Sequence, residues 1–381
     1  MGPAIRLAIG FSAVFLLLGV YMPFWPVWLA GRGLAPELIG VALGLAAWAR
    51  LLVNPIFGAY ADRSGRTKGI AIVLAVGVLA VYLGFGFAHD VVLLLALSLA
   101  LGVAYAPLVP LIDASAVTLA ARGTVDYGRV RRWGSLAFIV GSVGAGIMLK
   151  GAPDSAILQT LVAASVVLIG AMLLLPRREQ AVKRASGGGV RQLLRRPEFR
   201  LFLFTCAAMH GSHAVLYAYG TPHWRAAGIG DATIGALWAF GVVAEIALFS
   251  VAPRIVSRLA PATMLSLAGL GGLLRWPALA LTTSVPLLFA AQLMHALTFA
   301  ATHLGAMSLI RAHVSDDDTT AATSLYSGVA TGLAFGIGLP LAGVLYKVAA
   351  GEAYFAMAGV SATGLAASLV LRARLRRLPA T

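Results

Sequence analysis

The feature that most constrains this chain is a succession of long apolar runs with little polar sequence between them. At roughly 20 residues per membrane span, twelve can be placed: 8–30, 36–60, 69–88, 91–121, 131–149, 156–175, 199–226, 231–253, 262–282, 286–312, 319–346 and 352–372. The runs are continuous rather than alternating. Helices, not barrel strands, are therefore the elements that satisfy their backbones in lipid. Charged residues make up 11% of the sequence, against roughly 25% in soluble domains. Arg6 stands before an apolar run that a signal peptide could mimic, but the run is long and a second span follows directly, so it is read as an uncleaved first helix. Cys206, the 1 cysteine, lies inside a span and excludes an intrachain disulfide.

The formal net charge of +15 is a matter of topology. Of the 29 Lys and Arg, only Arg32, Lys150, Arg225 and Lys347 fall on one side of the twelve-span arrangement, and Arg50 and Arg275 lie within spans. All the others occupy the termini and connections of the opposite side. By the positive-inside rule that side, with both termini, is cytoplasmic. Nucleic acid is not an expected partner.

The longest connection, PRREQAVKRASGGGVRQLLRRP, is charged and loop-like. It divides the chain into a six-helix half at 1–176, a cytoplasmic linker at 177–198, and a six-helix half at 199–381 with a basic tail. The halves share a pattern. WLAGRGLAPELIGVALGLAAWAR (28–50) aligns with WRAAGIGDATIGALWAFGVVAE (224–245) if one residue is deleted, matching Ile39-Gly40 to Ile234-Gly235 and Arg50 to Glu245. Parallel six-helix repeats with a site between them are one way transporters are built.

GAYADRSGRTK (58–68) resembles the signature loop of the major facilitator superfamily, Gly-x-x-x-Asp-Arg-x-Gly-Arg followed by a basic residue. The resemblance implies a charge clamp of Gly58, Asp62, Arg63, Gly65 and Arg66 on the cytoplasmic side. Gly58 would allow close packing and Gly65 a tight turn. PFWPVWL (23–29), PLVPLIDA (107–114), DYGRVRRWGSLAFIVGS (126–142), GVVAE (241–245) and QLMHALTFAATHLGAM (292–307) resemble the 3-phenylpropionate transporter group. That group is similar in turn to the lactose-permease type of proton symporter. The resemblance implies the major facilitator fold, twelve helices in two pseudo-symmetric halves, alternating access and proton coupling.

Ionisable groups inside a membrane are costly and mark pathways. The resemblance matches Asp113 and Arg131 to a substrate-binding pair. Such a pair neutralises itself when empty and presents a five-donor guanidinium to a carboxylate or to hydroxyls. The alternative is that Arg131 is one more cytoplasmic arginine and Asp113 caps a loop. Arg50 could pair with Asp113, hold an anionic substrate, or snorkel to a helix end. Glu245, Arg275 and His295 match a proton-handling cluster, to which His303 is added. The carboxylate those symporters carry one turn past the histidine is missing, because Leu297, Thr298 and Phe299 stand there. A static Glu245–Arg275 ion pair is the competing reading. His213 is a candidate ligand contact or a neutral interhelical hydrogen-bonder. Trp28 and Phe138 are candidate contacts for a flat ring, or else core and interface aromatics.

The expectation is a secondary transporter in a bacterial inner membrane that imports small aromatic carboxylates with protons. Sugar or nucleoside symport and drug export are the alternatives. A small-molecule substrate, protons and lipid are the expected partners, with the protein acting as a monomer. No enzyme activity, cofactor or metal is expected, since neither a nucleophile–base set nor metal-ligand spacing emerges, and no GxxxxGK[ST] phosphate loop is present.

Overall fold

The computed structural model describes residues 1–176 and 189–377, and every element among them is helical. Residues 177–188, most of the expected linker, lie outside the described residues. The linker's end is not a plain loop: Val190–Arg195 forms a short helix whose Leu193 is fully buried.

The first seven helices are α1 (Pro3–Gly31), α2 (Pro36–Ser64), α3 (Thr67–Phe87), α4 (Val91–Tyr105), α5 (Leu108–Ala121), α6 (Tyr127–Met148) and α7 (Ser155–Leu174). The short linker helix is α8 (Val190–Arg195). It is followed by α9 (Pro197–Gly211), α10 (Ala214–Ala226), α11 (Asp231–Ser250), α12 (Ala252–Val256), α13 (Pro261–Leu281) and α14 (Val285–Leu293). The last four are α15 (Ala301–His313), α16 (Thr319–Ser327), α17 (Ala334–Ala349) and α18 (Ala353–Leu375). Turns of π-helix at Ala296–Ala300 and Gly328–Leu333 join α14 to α15 and α16 to α17.

Among the described residues 10 stretches are long and apolar enough to cross a membrane. The last of them, Thr319–Leu375, holds two successive spans, and α6 supplies a further one despite the arginines of its first turns. The twelve expected spans are therefore all present, but four are interrupted. Pro107 breaks 91–121, because a proline has no N–H to give the helix and α5 restarts beyond it. The 199–226 run breaks at Ser212 and His213, and the two π turns interrupt the runs at 286–312 and 319–346.

Two helix boundaries change the meaning of sequence motifs. α2 continues to Ser64 and α3 begins at Thr67, so Asp62 and Arg63 are helical and the true connection is Gly65-Arg66. Gly65 takes a left-handed φ of 63°, the tight turn expected of it. The close packing expected at Gly58 is absent, since a Cβ there would meet nothing within 4 Å among the described residues. α6 starts at Tyr127, four residues before the expected 131, because the Asp126 carboxylate accepts from the Arg129 N–H at 2.9 Å and caps the helix. Arg129 is thus in the first turn of the helix, and Arg131 and Arg132 are in the second. The internal repeat is visible in backbone geometry: Gly33 (φ 82°) precedes α2 at Pro36, and Gly228 (φ 81°) precedes α11 at Asp231 with the same spacing.

The described residues form two compact units, 1–176 with 220–239, and 189–219 with 240–377. In the first, α1 is the central helix and packs on α6 and α7. Gly19 and Gly141 bring the α1 and α6 backbones together: a Cβ on either would fall on the carbonyl of Phe138 or Leu16 respectively. Trp25, Trp28, Tyr82 and Phe85 form an aromatic core, with Trp25 and Trp28 stacked at 4.6 Å. Arg225 ties α10 to its neighbours, giving its fork to Asp231 and Nη1 to Asp154 at 2.6 Å. In the second unit α13 packs on α15 and α18, and α9 on α18, around Phe202, Leu265, Leu309, Tyr326 and Leu371.

Gly19→Val tests the α1–α6 approach. Overpacking of this kind costs about 1–3 kcal/mol, so thermal melting in detergent should fall by several degrees. Gly170→Val, at a site where a Cβ meets nothing within 4 Å, should melt like the parent.

Candidate functional site

The second unit places a fully enclosed cation at its centre. Arg275, on α13, is 1% exposed. A buried guanidinium is costly unless its donors are used; the helices around it supply acceptors for Nη1 and Nη2, while the buried Nε has no hydrogen-bond partner among the described residues. Nη2 donates to Gln292 Oε1 at 2.6 Å, and Nη1 donates to Thr298 Oγ1 at 2.8 Å and to His295 Nδ1 at 3.2 Å. The guanidinium also lies over the Trp276 ring, 4.8 Å from its centroid, a favourable cation–π placement.

An arginine can only donate, and this orients every proton around it. His295 Nδ1 must accept from Nη1, so a neutral His295 carries its proton on Nε2. That nitrogen faces Glu245 Oε2 at 3.7 Å. On the other branch, His213 Nδ1 lies 3.0 Å from the Met209 carbonyl, which can only accept, so Nδ1 carries the proton. His213 Nε2 is then an acceptor and takes the Thr298 hydroxyl proton at 3.1 Å. The longer 3.4 Å approach of that hydroxyl to the Met294 carbonyl cannot use the same hydrogen. The result is one network in which donation runs outward from Arg275, on one branch through Thr298 and His213 to the Met209 carbonyl and on the other through His295 to Glu245.

The static Glu245–Arg275 ion pair considered from sequence is not formed: His295 stands between the two groups. Glu245 and His295 are the accessible end of the network, with side chains 22% and 11% exposed. The π turn at Ala296–Ala300 follows His295 directly and carries Thr298. Such turns often occur at functional sites. Thr298, one of the three residues one turn past His295, contributes a hydroxyl to the network. His303 is not part of this network; it contacts Tyr326.

In the first unit, Arg131 Nε approaches Asp113 Oδ1 at 4.0 Å, with both side chains about one-third exposed. The Tyr127 hydroxyl donates to the same carboxylate oxygen at 3.0 Å. Arg131 lies over Phe15 at 4.3 Å and over Phe11 at 5.4 Å. The aspartate is therefore engaged by Arg131 and Tyr127, and Arg50 does not take it. Arg50, on α2, has Tyr21 of α1 and Tyr105 of α4 as its electrostatic neighbours. Tyr105 is itself fixed by donating to the Val14 carbonyl at 2.8 Å. Trp28 and Phe138 lie in the core, 2% and 5% exposed, and Arg32 covers the Trp28 ring at 4.7 Å. Asp62, Arg63 and Arg66 are exposed at the α2–α3 turn.

Gln292, Tyr127 and Tyr21 join these groups without a sequence signal that names them, and Thr298, noted only as standing where a carboxylate is missing, proves to be a hydrogen-bonding member. A polar residue inside a span was the available signal for Gln292 and Thr298.

Thr298→Val removes an acceptor for Arg275 and a donor to His213 at nearly constant volume. Each polar group left without a partner costs about 1–3 kcal/mol, so the variant should melt well below the parent. Thr298→Ser, which keeps the hydroxyl, should recover most of that loss.

Comparison with known proteins gives this architecture a family. The model of the MFS_1 like family matches residues 4–357. The chain is 32% identical over 359 residues to the probable 3-phenylpropionic acid transporter of Escherichia coli (strain K12), covering 93% of this chain and 94% of that one. It is 25% identical over 329 residues to the maltose permease of Geobacillus stearothermophilus, covering 85% and 81%. The crystal structure of the nucleoside transporter NupG superposes with a TM-score of 0.86 at 15% identity, covering 99% of this chain and 100% of that one. A bacterial homologue of the human lysosomal transporter Spinster superposes at 0.75 and 14% identity, covering 97% and 96%. The chain is thus a multi-pass membrane transporter of small molecules with the major facilitator fold, not an enzyme, and it belongs to the MFS_1 like family.

Proposed function

We propose that this protein imports small aromatic carboxylates of the 3-phenylpropionate type together with protons. It acts as a monomer in a bacterial cytoplasmic membrane, with both termini on the basic, cytoplasmic side. The observation that carries the coupling is the position of His295, which separates buried Arg275 from Glu245. Glu245 is the proton carrier in this reading. When it is ionised, His295 Nε2–H faces it and Arg275 balances its charge. When it is protonated, the Arg275 cation is left uncompensated in a low-dielectric setting. The two protonation states therefore differ in how firmly the network is held, and that difference is what couples a proton to a conformational change.

Substrate recognition is assigned to the first unit. Arg131 rests on the faces of Phe11 and Phe15 and is only loosely held by Asp113. That leaves a guanidinium suited to a carboxylate next to apolar rings suited to an aryl group. Arg50 with Tyr21 and Tyr105 is a second cationic position that could take the same anion. The relative from Escherichia coli supports this substrate class by its name, 3-phenylpropionic acid transporter. The α2–α3 turn with Gly58, Asp62, Arg63, Gly65 and Arg66 is proposed as the conformational clamp.

A second reading, symport of sugars or nucleosides, is favoured by the names of the maltose permease and NupG relatives. Uptake into membrane vesicles under an imposed inward proton gradient separates the two readings. Labelled 3-phenylpropionate should accumulate, and collapsing the gradient should abolish accumulation. Uptake of maltose or uridine with none of the aromatic acid would overturn the substrate assignment. Uptake indifferent to the gradient would overturn the coupling.

Two substitutions localise the roles. Glu245→Gln should remove gradient-driven accumulation, measured as the ratio of internal to external substrate. Arg131→Lys keeps the charge but loses the planar fork, so the uptake rate should drop by about tenfold or more. Arg132→Lys, on the exposed face of α6, should stay within about twofold. Equal behaviour of the two lysine variants would remove Arg131 from the site.

A further inference from the structure

The second unit holds another cluster of ionisable side chains, which the network around Arg275 does not use. His210 of α9 and His303 of α15 converge on one phenol, Tyr326 of α16. His210 Nε2 lies 3.0 Å and His303 Nδ1 3.2 Å from the Tyr326 oxygen. His210 is 1% and Tyr326 4% exposed, while His303 is half-buried. Phe202 stacks on the Tyr326 ring with centroids 6.1 Å apart and fixes its position.

A phenol has a single hydrogen, so it can donate to one imidazole only and must accept from the other. The cluster therefore has two arrangements. In one, Tyr326 donates to His210 and accepts from His303; in the other the direction is reversed. These two arrangements differ by a proton displaced from one end of the cluster to the other. His210 Nδ1, the ring nitrogen not facing Tyr326, is buried and has no hydrogen-bond partner among the described residues, an expensive state for a polar atom.

The position of the cluster within its unit gives this a direction. His303 lies eight residues beyond His295, about 12 Å along the helix at 1.5 Å per residue, toward Arg311 and the basic side. Phe299 stands between the two networks. Its ring stacks on His295 at 5.1 Å and meets His210 and His213 edge to face at 5.0 and 6.0 Å. The other ionisable groups around the cluster are Cys206 beside Tyr326, His213 and His295 across Phe299, and Arg275 beyond them.

We infer that His303, Tyr326 and His210 form a gated proton relay joining the basic side of this unit to the Glu245–His295 site. The inference rests on the proton coupling proposed above. In the direction of import, His210 takes a proton on Nδ1 from the Glu245–His295 site once Phe299 moves, and this makes the relay gated. Doubly protonated His210 then gives its Nε2 proton to the Tyr326 oxygen as the phenol proton passes to His303 Nδ1. The N–H bond of His210 and the original O–H bond break, a new O–H bond and a new N–H bond form, and one positive charge moves from His210 to His303. His303 then releases its Nε2 proton to the basic side. Buried histidine chains of this kind mark proton routes in transporters.

The test uses the full-length protein in vesicles, with 3-phenylpropionate, maltose and uridine run in parallel. Two quantities are read for whichever compound is carried. One is gradient-driven accumulation with the accompanying alkalinisation of the medium; the other is exchange of external labelled for internal unlabelled compound at equal pH. Tyr326→Phe keeps the ring and deletes the hydroxyl. It should lower accumulation and alkalinisation by about tenfold or more, the scale of an assisted proton transfer, while exchange stays within about twofold. His303→Gln should do the same. If both variants accumulate substrate like the parent while Glu245→Gln does not, the relay is wrong and the coupling site stands. If the variants lose exchange along with accumulation, the cluster is structural and the relay is wrong. A parent protein that moves no protons with any of the three compounds overturns the relay together with the coupling.

Discussion

Arg275 is a permanently charged donor enclosed in the bundle, and its needs set the geometry of the second unit. Each N–H that it turns inward requires an acceptor, and Gln292, Thr298 and His295 meet three of these requirements from the α14–α15 region. Because the guanidinium never accepts, the neighbouring imidazoles have no freedom over where their protons sit. Glu245 does not touch it: the His295 ring stands between them, 3.2 Å from Arg275 Nη1 and 3.7 Å from Glu245 Oε2. A direct carboxylate–guanidinium fork would be stronger, but in the proposed coupling it would also be harder to switch.

The first unit solves the same problem differently. Arg131 and Asp113 form a loose pair at 4.0 Å, and both remain about one-third exposed. Water can do part of the stabilising there, and the aromatic faces of Phe11 and Phe15 supply the rest. Arg50 has the phenols of Tyr105 and Tyr21 as electrostatic neighbours. The two units therefore hold their charges differently: the enclosed groups lie in the second unit, and the more accessible Arg131–Asp113 pair lies in the first, an arrangement that suits the proposed division between proton handling and substrate binding.

Much of this is readable from sequence. Continuous apolar runs give the spans, and an Asp, Glu or Arg inside a span draws attention wherever it occurs. Glu245, Arg275 and Asp113 stand out in that way, whereas His295 and Arg131 stand out through the resemblance to the sugar symporters. What sequence hides is relational. Thr298 and Gln292 are ordinary polar residues until folding sets both against Arg275; Thr298 does so from a π turn, of which regular 3.6-residue periodicity gives no warning. Tyr326 lies 116 positions from His210, so only folding brings them together. The start of α6 was misplaced because the cap on it is a single carboxylate, Asp126, in a stretch dominated by arginines. Trp28 looked accessible because aromatic residues serve equally in cores and in binding sites; the stack on Trp25 decides it.

The central claim is that Arg275 dictates where the proton on His295 sits, and so directs that proton at Glu245. Nitrogen-15 spectra of the histidine-labelled protein in lipid nanodiscs, assigned by comparison with His295→Gln, measure this directly. The account predicts a neutral His295 ring protonated on Nε2 and unprotonated on Nδ1, whose Nε2 resonance shifts in Glu245→Gln. A His295 protonated on Nδ1, or an Nε2 signal unaffected by Glu245→Gln, would contradict it.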